Sequence, residues 1–70
     1  MKTVYIVIYS GQFVGHEILS VFEEREKALE YINNRINNHN IYGEYGIICT
    51  EFGKCIDMIT TEWFLPKDFV

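Results

Sequence analysis

The chain is poor in the residues that break structure or carry chemistry. Among 70 residues there is one proline, and the five glycines are spread from Gly11 to Gly53. No glycine-rich phosphate loop is formed, because Gly11-Gln12-Phe13-Val14-Gly15 leads into a strand pattern and offers no helix N-terminus to an anion. The cations Lys2, Arg25, Lys27, Arg35, Lys54 and Lys67 are scattered among ten acidic residues, for a net charge of −4. Direct nucleic-acid binding needs a basic footprint, so it is not expected. The longest apolar run falls far short of the roughly 20 residues that span a bilayer, so no membrane association is expected. Met1-Lys2-Thr3 leads straight into a strand pattern without a small-residue cleavage site. The expectation is therefore a cytoplasmic protein with reduced thiols. Its two cysteines, Cys49 and Cys55, then read as small apolar residues.

What remains is apolar and aromatic. Hydrophobic residues make up 49% of the chain, aromatic residues 16% and charged residues 23%, the profile of a folded protein. Residues 1–70 read as a single domain, since this length holds one core. A domain this small buries only about 60% of its unfolded surface. Its aromatics compensate, each burying on the order of 150–250 Å².

Thr3–Tyr9 is the most informative segment because it is apolar on both faces: Val4, Ile6 and Ile8 point one way, Tyr5, Val7 and Tyr9 the other. After the glycine-bounded turn, His16–Phe22 reads as the return arm of a hairpin. Simple alternation puts Leu19 and Val21 on one side of it, with Ile18, Ser20 and Phe22 on the other. Glu23–Ile36 is the helix, with Ala28, Leu29, Ile32 and Ile36 in one stripe of 3.6-residue period. Its glutamates suit the positive end of the helix dipole and Arg35 the negative end, although no Ser, Thr, Asp or Asn caps its start. Tyr45–Phe52 and Cys55–Phe64 form a second hairpin around Gly53-Lys54, where a leading glycine suits a type II′ turn. In that register Ile47 faces Thr60, and the two cysteines point to opposite faces.

The predicted fold is α+β, ββαββ, a two-layer sandwich: a four-stranded antiparallel sheet in the order 2-1-3-4 with one helix on one face. The most apolar strand takes the centre. One helix covers one face, so the other is left open. The largely aliphatic set Val4, Ile6, Ile8, Ile48, Phe52, Cys55 and Ile59 is expected under the helix. Tyr5, Val7, Tyr9, Ile47, Met58 and Trp63 are then expected on the open face as the partner-binding residues, because tyrosine and methionine are enriched at interfaces and a tyrosine tip tolerates water. The alternative is that Trp63-Phe64-Leu65 folds over that face.

Val4-Tyr5-Ile6-Val7-Ile8-Tyr9-Ser10, Val21-Phe22, Lys27-Ala28-Leu29-Glu30-Tyr31-Ile32 and Thr50-Glu51-Phe52 together resemble a group of small, uncharacterised phage and bacterial proteins. The group usually starts its helix with Ser or Thr, where Glu23-Glu24 stands here. The resemblance covers most of the chain and implies a ββαββ fold and a mobile-element origin. Abundant Ile, Asn, Tyr, Lys and Glu beside scarce Ala and Pro is also the bias of AT-rich genomes.

No constellation of catalytic type stands out. His16 and His39 read as polar surface residues, and with Cys49 and Cys55 they lack the short-spaced pairs of a zinc site. There is no nucleophile elbow. The carboxylates of the helix and second hairpin read as solvation, with general acid–base catalysis or nucleic-acid mimicry as alternatives. The expected function is a non-enzymatic, cofactor-free protein that binds and inhibits a host protein, such as a defence or nucleic-acid enzyme. The alternative is an obligate homodimer with a structural or regulatory role.

Overall fold

The computed structural model describes residues 2–11, 15–39, 43–54 and 60–66. In chain order they form β1 (Thr3–Gly11), β2 (Gly15–Phe22), α1 (Arg25–His39), β3 (Glu44–Glu51) and β4 (Glu62–Phe64). The strands make one antiparallel sheet in the order β2-β1-β3-β4, the α+β architecture expected from the sequence. Burial explains why β1 is central: Val4, Ile6, Val7 and Ile8 are all buried, and only a strand flanked on both sides and covered on both faces hides four such neighbours.

The helix begins two residues later than the sequence suggests and runs three further. Glu24 accepts the first-turn bond from the Ala28 amide at 3.3 Å. Ala28, Ile32 and Ile36 are buried and Leu29 half-buried, the stripe expected from the 3.6-residue period.

The face that this stripe covers is the reverse of the one expected. The helix packs on Val7, Tyr45 and Ile47, with Tyr5, Tyr9, Leu19, Phe22, Tyr31 and Phe64 around them. Val4, Ile6, Ile8 and Ile48 form a separate cluster on the opposite face. An α-helix is about 10–12 Å wide, and four strands at about 4.8 Å spacing are wider. The helix therefore seals the middle of its face, and aromatic rings close the flanks. Two ring pairs pack here, the buried Tyr45 against the half-buried Tyr9 with centroids 5.2 Å apart, and Phe22 against Tyr31 at 5.4 Å. Aliphatic side chains have no polar tip, so their face needs continuous cover.

Part of that cover is visible. Gly46 pairs with Ile8 on one side and Trp63 on the other. A methyl group built on Gly46 would lie 2.6 Å from Thr61 Cγ2, 3.0 Å from Ile8 Cγ1 and 3.1 Å from Trp63 Cε3. The Thr61 and Trp63 side chains thus lie over Gly46 on the aliphatic face, and Ile8 and Ile48 are each 1% exposed. The second face is not bare.

Two local devices depart from simple alternation. Val7 pairs with Ser20 and Ile8 with Ile18, so Leu19 is an extra residue, a β-bulge. The bulge resets the alternation of β2 and brings Ile18 and Val21 onto the aliphatic face, opposite Ile8 and Ile6. In the second hairpin the Lys54 amide donates to the Glu51 carbonyl at 3.0 Å, and Gly53 has φ +94°. The turn is centred on Phe52-Gly53, with glycine third as a type II turn requires, one residue before the expected position. Ile47 pairs with Glu62 where Thr60 was expected, a shift of two residues that leaves Glu62, Trp63 and Phe64 on the faces expected for them. The expected strand from Cys55 to Ile59 lies outside the described residues.

Candidate protein-binding surface

The residues expected to meet a partner are divided by the fold. Val7 and Ile47 are fully covered by the helix, and Tyr5 and Tyr9 are half-buried around them. These four belong to the core beneath α1, and a partner could reach Val7 or Ile47 only by displacing the helix. Trp63 is 39% exposed and lies on the opposite face from the tyrosines. Met58 lies outside the described residues.

The apolar surface that does face solvent was not singled out from the sequence. Ile18 is 59% and Val21 53% exposed, side by side on the aliphatic face of β2 at the margin of the sheet. Only the bulge at Leu19 puts them together, because residues three apart in a regular strand point to opposite faces. Bulges commonly re-aim side chains next to functional sites. Phe52, at the tip of the second hairpin, is 76% exposed and stands apart from this pair.

Glu23, Glu62 and Glu51 make ordinary surface ion pairs. Glu23 meets Lys2 at 2.6 Å, Glu62 meets Arg25 at 2.7 Å, and Glu51 meets Lys54 at 3.6 Å. Glu62 raises the pKa of Arg25, first by accepting its hydrogen bond and then by charge. Among the described residues, no group of three or more His, Cys, Asp or Glu side chains is placed to hold a metal ion, and no helix is long and apolar enough to cross a membrane. Two shallow, open depressions are present, one of about 200 Å³ lined by Phe22, Lys27, Glu30, Tyr31 and Asn34, the other of about 290 Å³ around Thr3, Cys49 and Lys54. Cys49 is an exposed free thiol, and Cys55 lies outside the described residues.

One buried polar contact lies near the end of α1. The Arg35 guanidinium sits 5.9 Å from the centre of the Tyr31 ring, with the Tyr45 hydroxyl beside it. The Tyr45 oxygen raises the pKa of Arg35 against the opposing effect of burial. Burial in turn raises the pKa of Tyr45, and Arg35 partly offsets this. The two groups are close without being aligned: Arg35 Nε and Tyr45 Oη are both buried with no hydrogen-bond partner. Neither atom is open to solvent, so the pair belongs to the core and not to a ligand site.

Comparison with protein-family models, curated proteins and solved structures finds no match.

Proposed function

We propose that this chain is a non-enzymatic binding protein, encoded by a phage or other mobile element, that inhibits a host protein by occupying its surface. The supporting observation is the pair Ile18 and Val21, both more than half exposed and turned to one face by a bulge. Buried in an interface, each would supply about 1.5–3 kcal/mol of apolar transfer free energy. The acidic balance favours a host target with a basic surface, such as a nucleic-acid or defence enzyme, through electrostatic steering. The test is affinity capture from a bacterial lysate with the wild-type chain and the Ile18→Ser/Val21→Ser variant side by side. The reading requires a defined host protein that the wild type retains and the variant releases. Equal recovery by both would remove β2 from the account.

A second reading, a homodimer, is favoured by the position of β2 itself. Among the described residues this strand of 8 residues pairs on one side only, with β1, and it carries neither lysine nor proline to blunt its outer edge. Sedimentation at micromolar concentration separates the readings, since a chain that stays monomeric leaves only a foreign partner.

A further inference from the structure

Among the described residues the outer side of β2 is unpaired, and the bulge at Leu19 decides what it can accept. Ile18 and Val21 pair with Ile8 and Ile6, which lie two residues apart on β1. They therefore share one face of the sheet and one phase of the backbone ladder, although they are three apart in β2. In a regular strand, residues three apart differ in both face and phase. Such a strand laid along this edge would match one half of β2 and be out of step with the other, which is how a bulge blunts an edge. A strand with the same extra residue in the same place escapes this conflict, and a second copy of β2 is such a strand.

We propose that two copies of this chain join through β2 about a two-fold axis perpendicular to the sheet, with Ile18 of each copy opposite Val21 of the other. The inference rests on the homodimer reading above and deepens it by naming the contact. In this register Leu19 and Ser20 of one copy oppose Ser20 and Leu19 of the other. The two extra residues thus fall side by side, and both halves of each strand stay in step. Ile18 and Val21, 59% and 53% exposed, become one patch of four apolar side chains. The axis carries each face onto its like, so both helices lie on one side of a continuous sheet, β4-β3-β1-β2-β2-β1-β3-β4.

The charges fit the same register. Glu17, the only acidic residue of β2, and Phe22 both lie on the helix face, opposite Tyr9 and Tyr5. Glu17 of one copy stands opposite Phe22 of the other, which keeps the two Glu17 carboxylates about 15 Å apart along the strands. Phe22 lines a depression with Lys27, Glu30, Tyr31 and Asn34. Lys27 makes no ion pair among the described residues, so it is the cation open to the partner's Glu17. One strand pair is a small interface, below the roughly 1,200 Å² of a standard complex, so dissociation in the micromolar range is expected.

Sedimentation equilibrium of the full chain from about 1 to 500 µM measures the assembly, and disulfide trapping measures the register. With Cys49 and Cys55 replaced by serine, Ile18→Cys and Val21→Cys chains are oxidised separately and as a mixture. Both sites are exposed, so the variants keep the fold. Opposed residues lie about 4.5–5.5 Å apart at Cα, within disulfide reach, whereas position 18 and its own copy lie about 10 Å apart, beyond it. The expected result is a concentration-dependent dimer, with cross-linking in the mixture several-fold above either chain alone. Glu17→Lys and Lys27→Glu should each weaken the dimer about two- to twenty-fold, the effect of an exposed ion pair counted twice, and together they should restore it. A dimer that either chain traps equally well alone, or that the double charge reversal fails to restore, would overturn this contact and leave the homodimer reading standing. A wild type that stays monomeric over the whole range would remove both.

Discussion

Replacing Gly46 by alanine tests whether the Thr61 and Trp63 side chains lie over it. The substitution carries no backbone strain, because Gly46 is not among the glycines with positive φ. Its effect is therefore one of space. The new methyl group would lie 2.6 Å from Thr61 Cγ2, closer than carbon atoms approach, with Ile8 Cγ1 at 3.0 Å and Trp63 Cε3 at 3.1 Å behind it. Overpacking of this kind costs about 1–3 kcal/mol, while stiffening the unfolded chain returns about 0.4–1 kcal/mol. The net expectation is a loss of about 1–2 kcal/mol, or a fall in Tm of roughly 5–15 °C for a domain of this size. Urea unfolding followed by circular dichroism and by Trp63 emission measures it. The second arm is Thr61→Ser, which removes the offending methyl group and keeps the hydroxyl. In a double-mutant cycle it should recover at least about 0.5 kcal/mol of the Gly46→Ala loss. If Gly46→Ala is as stable as the wild type, or if Thr61→Ser has the same effect in both backgrounds, Thr61 does not pack on Gly46.

Three further outcomes follow from the same packing. Tyr45→Phe removes a buried hydroxyl that has no partner, so stability at pH 7 should hold within about 0.5 kcal/mol or rise, whereas deleting a paired hydroxyl would cost about 1 kcal/mol. Because burial raises the Tyr45 pKa, its neutral form is the one the fold favours; that stability is complete below the ordinary phenol range and fades as pH climbs through the raised value. Denaturant midpoints from pH 8 to 11 should therefore fall less in Tyr45→Phe than in the wild type. Ile18→Ser/Val21→Ser should shift thermal stability by less than about 1 kcal/mol, because both sites are exposed, while Ile32→Ala should cost about 2–5 kcal/mol. Gly53→Ala has open space for its methyl group but holds φ +94°, so calorimetry should show a loss of about 1–2 kcal/mol from backbone strain alone.

The parts of the fold that could be read from the sequence are those set by strong local periodicity. The Ala28–Ile32–Ile36 stripe identified the helix, and the two-sided apolarity of Thr3–Tyr9 identified the central strand and, with it, the strand order. The face of the sheet was inverted because tyrosine was weighed by its hydroxyl and not by its ring. Tyr45 is fully buried, and Tyr5 and Tyr9 flank the helix contact. Period-2 reasoning could not see the bulge at Leu19, since Gly15–Phe22 alternates acceptably in either phase. That hidden residue creates the Ile18–Val21 surface, so the exposed apolar pair was illegible for the same reason. Gly46 was the available signal for this cover: a glycine inside a strand marks a close approach, and here it is the side chains of Thr61 and Trp63 that approach.

The assignment of the two faces underlies every functional statement above, and methyl NOEs measure it most directly. In a sample labelled at Ile and Val methyl groups, Ile32 and Ile36 should show cross-peaks to Val7 and Ile47 and none to Ile6 or Ile48. Cross-peaks from Ile32 to Ile6 and Ile48, with none to Val7, would place the helix on the aliphatic face and contradict the account.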